Sequence, residues 1–355
     1  MDFIIFIFIA ILIFIGVTFY LLMTTNYIQR ANRRQEKQQQ DFVCQWEKSI
    51  TSPILTSEQK KYLHDPEQLR ALATTFNGKQ LSKEHIRSFV VANQSFWVDL
   101  GRTYSKKSLI LRAYYAWFCL QLAQINPQQS DDMIELMIEY ALFPSVYCRE
   151  NALNTLYQIC SEDAIIEAYK RLSAKGLGHH SKLIYDGLLS FHGDKEALAT
   201  NFFEHMADFS LSYQIGIVDF FRVYGTHLND QLVPYLSEED LDIDVRCALL
   251  RYFKAHPNPR CEKLIWSMVA NDAESTYPWE VSAVATSALA SYPGQKTITL
   301  LMKAVQSSNW YIRKNAAIVL CDLDVDEKVV GDVLAGEDKY AIEKLNYYLS
   351  RKGRV

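Results

Sequence analysis

The feature that most limits what this chain can become is a nine-residue pattern that returns through its second half. A β-branched, small or apolar residue comes first, often followed by arginine, and small or apolar residues fill the fifth, sixth and ninth places. The pattern reads Cys-Arg-Glu-Asn-Ala-Leu-Asn-Thr-Leu at 148–156 and Val-Arg-Cys-Ala-Leu-Leu-Arg-Tyr-Phe at 245–253. It returns as Val-Ser-Ala-Val-Ala-Thr-Ser-Ala-Leu at 281–289 and Ile-Arg-Lys-Asn-Ala-Ala-Ile-Val-Leu at 312–320. Weaker copies begin at Tyr213 and Ala341, and a poor one near Ser181. Starts lie roughly 30 to 36 residues apart, the length of one helix-turn-helix unit. A unit that short cannot bury its own apolar face, so the copies must stack.

Second amphipathic helices are expected between the copies, at Ala164–Leu172, Glu196–Met206, Cys261–Val269, Thr297–Val305 and Glu327–Leu334. Their apolar residues fall at i, i+3, i+4 and i+7, one face of a helix. Pro144 and Pro278 precede first turns, while Pro257, Pro293 and Gly176 fall between helices, where they cost no helical hydrogen bond. Asp242 and Asn309 stand three residues before Val245 and Ile312, placed to cap the next helix. Strand signals are scarce, and the expected class is all-α. The chain resembles the HEAT-repeat family in its short bacterial-type form, with a D/N-x-x-V/I-R-x-x-A core. Asp242-Leu-Asp-Val-Arg-Cys-Ala-Leu and Asn309-Trp-Tyr-Ile-Arg-Lys-Asn-Ala match it best. The resemblance covers about residues 130–350 and implies an α-solenoid of helix pairs.

Phe3 to Met23 is an uninterrupted run without charge or proline. As a helix it is ~31 Å long, enough for the hydrocarbon core of a bilayer. A cleaved signal peptide needs a basic start, a shorter apolar core and a small-x-small site. Here Asp2 precedes the run and Tyr20, Leu21, Leu22 and Met23 end it, so a permanent transmembrane anchor is expected. Arg30, Arg33, Arg34 and Lys37 follow the run and no Lys or Arg precedes it. By the positive-inside rule the body is cytoplasmic and the N-terminus outside, in the cell (inner) membrane. The same basic residues favour anionic lipid headgroups. The domains expected are 1–23 anchor, 24–45 basic, Gln-rich linker, 46–129 helical cap or degenerate repeats, and 130–355 solenoid.

The formal net charge is -4, against the dominant basic surface a nucleic-acid binder needs. Seven cysteines, an odd number with no CxxC, read as reduced thiols packed as small hydrophobes. The acidic run Ser237–Asp244 fails as an EF-hand. Counted from Asp240, the sixth and twelfth places hold Val245 and Arg251 instead of Gly and Glu. His179 and His180 are adjacent, so they point different ways and make no metal site alone. Lys175-Gly-Leu-Gly178 lacks the rest of a phosphate loop, and no nucleophile elbow is present. No catalytic residue, metal or cofactor is expected.

Arg149, Arg246 and Arg313 share one place in the repeat and should form a ladder along one edge. The resemblance implies that each pairs with an acidic or amide group of an adjacent repeat, a structural role rather than a phosphate or carboxylate site. Tyr277-Pro-Trp279 and Trp310-Tyr311 begin consecutive pattern helices. That puts them on one rim, where Trp and Tyr are the residues most enriched in binding hot spots. The function expected is a non-enzymatic membrane-anchored adaptor. It would hold a membrane protein or membrane-associated complex, foremost a glycosyltransferase of envelope or exopolysaccharide synthesis as its accessory subunit. The alternatives are a HEAT-like enzyme of the bilin-lyase type, or a membrane-tethered signalling regulator.

Overall fold

A computed structural model describes the chain apart from residues 1, 79, 160, 226, 270–276, 326 and 352–355. The side chains of 2–12, 327, 328 and 351 also lie outside the described residues, as does Cys160. Helices and short turns make up the described secondary structure, without a strand. The chain divides into two compact units, the first ending at Tyr140 and the second starting at Ala141.

The first unit holds α1 (Asp2–Ser49), α2 (Ser57–Tyr62), α3 (Pro66–Phe76), α4 (Lys83–Ala92), α5 (Gln94–Tyr104), α6 (Leu109–Ile125) and α7 (Asp131–Ala141). The segment expected as a linker at 24–45 is therefore part of one unbroken helix. The end of α1 packs on α3, and the buried Trp46 indole donates to Gln68 Oε1 at 3.0 Å. From Ile13 to Gln38, α1 is exposed apart from the half-buried Thr24. Among the described residues no helix is long and apolar enough to cross a membrane. Residues 3–12, about half of the expected span, have side chains outside that description.

The aromatic stretch from Glu84 to Gln124 folds as three helices, α4, α5 and α6. Its rings are core: Trp97 is wholly buried, with Phe89, Phe96 and Phe118 within 5.3–6.1 Å of it. Three buried polar tips find carbonyls, which offsets their desolvation, whereas Tyr114 Oη is buried without a hydrogen-bond partner among the described residues. Trp97 Nε1 donates to Val90, Tyr104 Oη to Leu63 and Tyr140 Oη to Gly101.

The second unit continues as α8 (Val146–Ile159), α9 (Glu162–Ala174), α10 (Ser181–Leu189), α11 (Lys195–Glu204), α12 (Leu211–Tyr224), α13 (Asn229–Leu236) and α14 (Ile243–Ala255). Then come α15 (Glu262–Val269), α16 (Trp279–Ala288), α17 (Gln295–Ala304), α18 (Trp310–Asp322), α19 (Glu327–Leu334) and α20 (Lys339–Arg351). Every pattern copy is an even-numbered helix, and each packs against the next in an unbroken row from α8 to α20. The odd-numbered helices fill the returns. One of them, α13, has no counterpart among the expected second helices, because Pro234 sits inside it and interrupts its polar, short sequence.

Contacts at both edges show that the even helices run in the same direction. At their heads, Tyr213 Oη donates to Leu177 O before α10, and the Trp279 and Tyr311 rings stack at 5.2 Å. At their tails, His256 Nε2 meets Arg222 O at 2.7 Å and Ser291 Oγ donates to Lys254 O at 2.6 Å. The first place of the pattern falls on the third helical residue each time: Cys148, Tyr213, Val245, Val281, Ile312 and Ala341. In α10 that register is Leu183, two residues beyond the copy expected near Ser181.

The buried thiols follow the core. Burial pushes Cys247 up from its ordinary 9.0 to about 11 and Cys261 to about 12. Thiolate is the reactive form, so Cys44, exposed on α1, should be labelled by a thiol reagent at pH 8 long before either of them. The sign for stability follows. Unfolded thiols ionise first, so the preference for the fold is complete below pH 9 and declines as pH rises from 9 toward 11. Equal labelling rates for Cys44 and Cys247 in the native protein would contradict this burial.

Candidate interaction surface

Arg149, Arg246 and Arg313 each occupy the fourth residue of an inner helix, α8, α14 and α18, so their guanidiniums reach back past the head of their own helix. The resemblance implied acidic or amide partners in an adjacent repeat, and the structure differs. Arg246 donates to the carbonyls of Leu236 at 2.9 Å, Glu238 at 2.6 Å and Glu239 at 3.2 Å. Arg313 donates to Ser307 O from Nε and Nη2, at 3.0 and 2.7 Å. Arg149 donates to Ala141 O at 3.3 Å and, across the joint, to Gly178 O at 2.9 Å. The physical reason is geometric. The preceding turn ends with several carbonyls lacking helical donors, and a five-donor planar fork gathers them more completely than a carboxylate could. The acidic run 237–244 is thus a backbone cradle for Arg246.

Sequence reasoning missed one member of this set. Gln214 holds the same place in α12, and its Nε2 donates to Met206 O at 3.1 Å and Phe209 O at 2.9 Å. An amide standing at the arginine place of the Tyr213 copy was the available signal. His179 and His180 diverge as their adjacency required. His179 is buried beside Glu150, with Nε2 and Oε2 2.9 Å apart, while His180 caps α10 by accepting from Lys182 N.

The aromatic residues gather at the heads of the inner helices. Trp279 is the first residue of α16, and Trp310 and Tyr311 are the first two of α18. They are 46%, 46% and 53% exposed. Trp310 meets Tyr311 edge to face at 5.0 Å, and Lys314 and Lys344 stand over its ring at 5.0 and 5.4 Å. Tyr277 is set deeper: half-buried, it lies 5.4 Å from the Arg246 guanidinium, as Tyr340 lies 5.2 Å from that of Arg313. Such cation–π contacts tie Arg246 and Arg313 to the next repeat.

The rim extends further than the sequence reading took it. Val146 and Tyr147 head α8, Leu211 heads α12, Ile243 heads α14, Tyr340 is second in α20 and Leu183 third in α10, all exposed. The signal was there: an apolar residue two places before the pattern starts, in five of the copies. At these positions an acidic residue would satisfy the positive helix end, so exposed apolar residues run against local preference. Elsewhere, Arg30, Arg33, Arg34 and Lys37 stand on the exposed part of α1.

Among the described residues no group of histidine, cysteine and acidic side chains could hold a metal ion. A half-open cleft of about 590 Å³ lies among α3, α4 and α6, lined by Lys83, Glu84, Arg87, Gln121 and Gln124. Its described lining holds no histidine, cysteine or serine. No family model matches this chain. No curated protein matches it either.

Proposed function

We infer that the protein is a tethered, non-catalytic adaptor. Its first helix holds it to a membrane, and its second unit, a solenoid of HEAT-like helix pairs, grips another protein by the rim. The observation that carries this reading is the rim itself. Single exposed apolar side chains need no explanation, but here one stands at the head of each inner helix from α8 to α20. Repetition within the first three residues of each of these helices, against the local preference for acids, is what a binding surface requires of a stacked fold.

Two facts support the tether. Phe3–Met23 carries no charge, and every large apolar side chain from Ile13 to Met23 is more than half exposed. Among the described residues nothing covers that surface, and lipid would. The basic residues at 30–37 then face the cytoplasmic headgroups. Tethering raises the effective concentration of the rim toward other membrane proteins. A glycosyltransferase of envelope polysaccharide synthesis is the first partner to look for, by analogy alone.

Deleting residues 1–28 is expected to move the protein from the membrane pellet to the supernatant with its melting transition kept. The decisive experiment is purification of the tagged full-length chain from its native membrane in mild detergent, with mass spectrometry of its companions. A stoichiometric membrane protein should accompany the unaltered chain. It should fall at least tenfold with W279A/W310A/Y311A, a variant that keeps its melting temperature. Undiminished recovery of the companion with this variant would remove the rim from the reading, and a truncated chain that still pellets would remove the tether.

A further inference from the structure

We propose that the first unit holds an extended peptide of a partner protein, six or seven residues long, in a groove lined by carboxamides. The site belongs to the other unit and does not depend on the rim.

The first argument is shape. The cleft of about 590 Å³ among α3, α4 and α6 meets a second, of about 570 Å³, at Glu84 and Arg87, which line both. The second meets a third, of about 290 Å³, at Gln94. One wall of this row follows the chain along α4 and α5, from Lys83 to Arg102. The other follows it from Gln121 through the loop after α6 to Asp132. Two walls that advance together make a groove and not a bowl, which suits a long, thin ligand. The faces Lys83–Val91 and Gln94–Arg102 are each ~12 Å long. A chain advancing ~3.3 Å per residue spans the two in about six or seven.

The second argument is chemistry. Asn77, Gln94, Gln121, Gln124, Asn126 and Gln128 all line the groove. A carboxamide offers both a donor and an acceptor, as every peptide group does. Three of the six are already aimed. Asn77 Nδ2 donates to Ala73 O at 3.1 Å, Gln94 Nε2 to Gln128 O at 2.8 Å and Asn126 Nδ2 to the same oxygen at 2.6 Å. Among the described residues their side-chain oxygens accept nothing, and the side chains of Gln121, Gln124 and Gln128 have no hydrogen-bond partner. Asn126 is 2% exposed, so little water reaches an oxygen that lacks a protein donor.

Other ligands fit less well. A nucleic-acid strand needs a basic groove, and here Lys83, Arg87 and Arg102 are matched by Glu84, Asp99 and Asp132. A glycan needs an exposed ring to stack on, and the one ring in the described lining, Phe76, is 8% exposed. An amphipathic helix needs an apolar stripe, and Val91 is the one exposed large apolar side chain of that lining. The charges also give the peptide a direction. Lys83 and Arg87 stand one turn apart on α4 without an ion pair among the described residues, and exceed Glu84 by one charge. At the far end Arg102 is held by Asp99 at 3.4 Å, which leaves Asp132, with Asp131 beside it, for a cation. An acidic residue of the peptide belongs at the α4 end and a basic one at the α5 end.

The test is selection by the purified full-length chain, in mild detergent, from a random heptapeptide library displayed on phage. The expected result is an enriched sequence with an acidic residue near one end and a lysine or arginine near the other. Q124A/Q128A, at two exposed positions, should weaken a fluorescein-labelled synthetic copy at least fivefold with the melting temperature kept. Selection repeated with K83E/R87E should exchange the acidic residue for a basic one. W279A/W310A/Y311A should leave binding unchanged. Should a groove variant melt early, methylating the peptide's own amide nitrogens one at a time asks the same question without altering the protein. At two or more positions this should cut affinity at least tenfold. The proposal is overturned if no peptide is enriched, or if binding survives both the groove variants and every N-methyl substitution. Loss of binding in W279A/W310A/Y311A, or retention of the chain by a glycan array and not by the peptides, overturns it equally.

Discussion

Replacing Arg246 with alanine is expected to destabilise the second unit by about 3 kcal/mol, which lowers its melting temperature by about 6–12 °C. Arg246 is 4% exposed and donates to four carbonyls between the end of α13 and the start of α14. Hydrogen bonds from a charged donor are each worth about 1.5–3 kcal/mol, and carbonyls left buried without a donor add their own desolvation cost. Arg246→Lys keeps the charge but loses the fork and should recover about half. Arg149, equally buried but with two carbonyl partners, should come next. Arg313, with its guanidinium partly in solvent, should lose about 1 kcal/mol. Thermal or urea unfolding of the three alanine variants tests the order. Equal losses at all three sites would mean that the carbonyl cradle is not what makes these arginines matter. No carboxylate takes part in these contacts, so the losses should be the same at pH 5 and pH 8.

The second large effect concerns a single hydrogen atom. Gly216 on α12 faces Ile184 on α10, and a Cβ at Gly216 would lie 2.6 Å from both Cβ and Cγ2 of that isoleucine. These atoms are fixed to the helix and cannot swing aside. Gly216→Leu is therefore expected to cost about 4 kcal/mol, beyond the usual 1–3 for overpacking because the two helices must separate. Gly216→Ala should cost about 2 kcal/mol despite the better helix propensity of alanine. The control is Gly331 on α19, around which nothing lies within 4 Å of an added Cβ. There the same Gly→Ala change should stabilise by about 0.5–1 kcal/mol. Pairing Gly216→Ala with Ile184→Ala should recover part of the loss, with a coupling of about 1 kcal/mol in a double-mutant cycle. Destabilisation at both glycines, or at neither, would mean that the α10–α12 approach is looser than the structure has it.

Much of the second unit was legible because a stacked fold repeats its demands. Small residues at fixed places, a cap three residues ahead and an arginine at the fourth helical position all recur, so four clear copies placed the weaker ones. Reading failed where a helix met those demands by other means. In α10 the arginine place holds Ile184, and the copy was set two residues early; in α12 an amide does the work. Pro234 hid α13. The partners of the arginines were out of reach for another reason: backbone carbonyls have no signature in a sequence. The rim was half legible, since Trp and Tyr draw the eye while Val146, Leu211 and Ile243 look like core until their exposure is known. The first unit has no period, so its aromatic stretch gave composition without boundaries.

The unbroken course of α1 does more than set a distance. Residues 24–38 advance ~22 Å, and the backbone turns by ~100° at every one of them. Such a shaft couples height to heading. Seven residues added or removed would shift the body by about 10 Å and leave it facing within about 20° of its former direction. Two residues would barely change the height and would point the same surface almost backwards. On the tethered reading proposed above, the length of this polar stretch is a setting of azimuth, and a partner fixed in the same membrane would see the first unit from one side only.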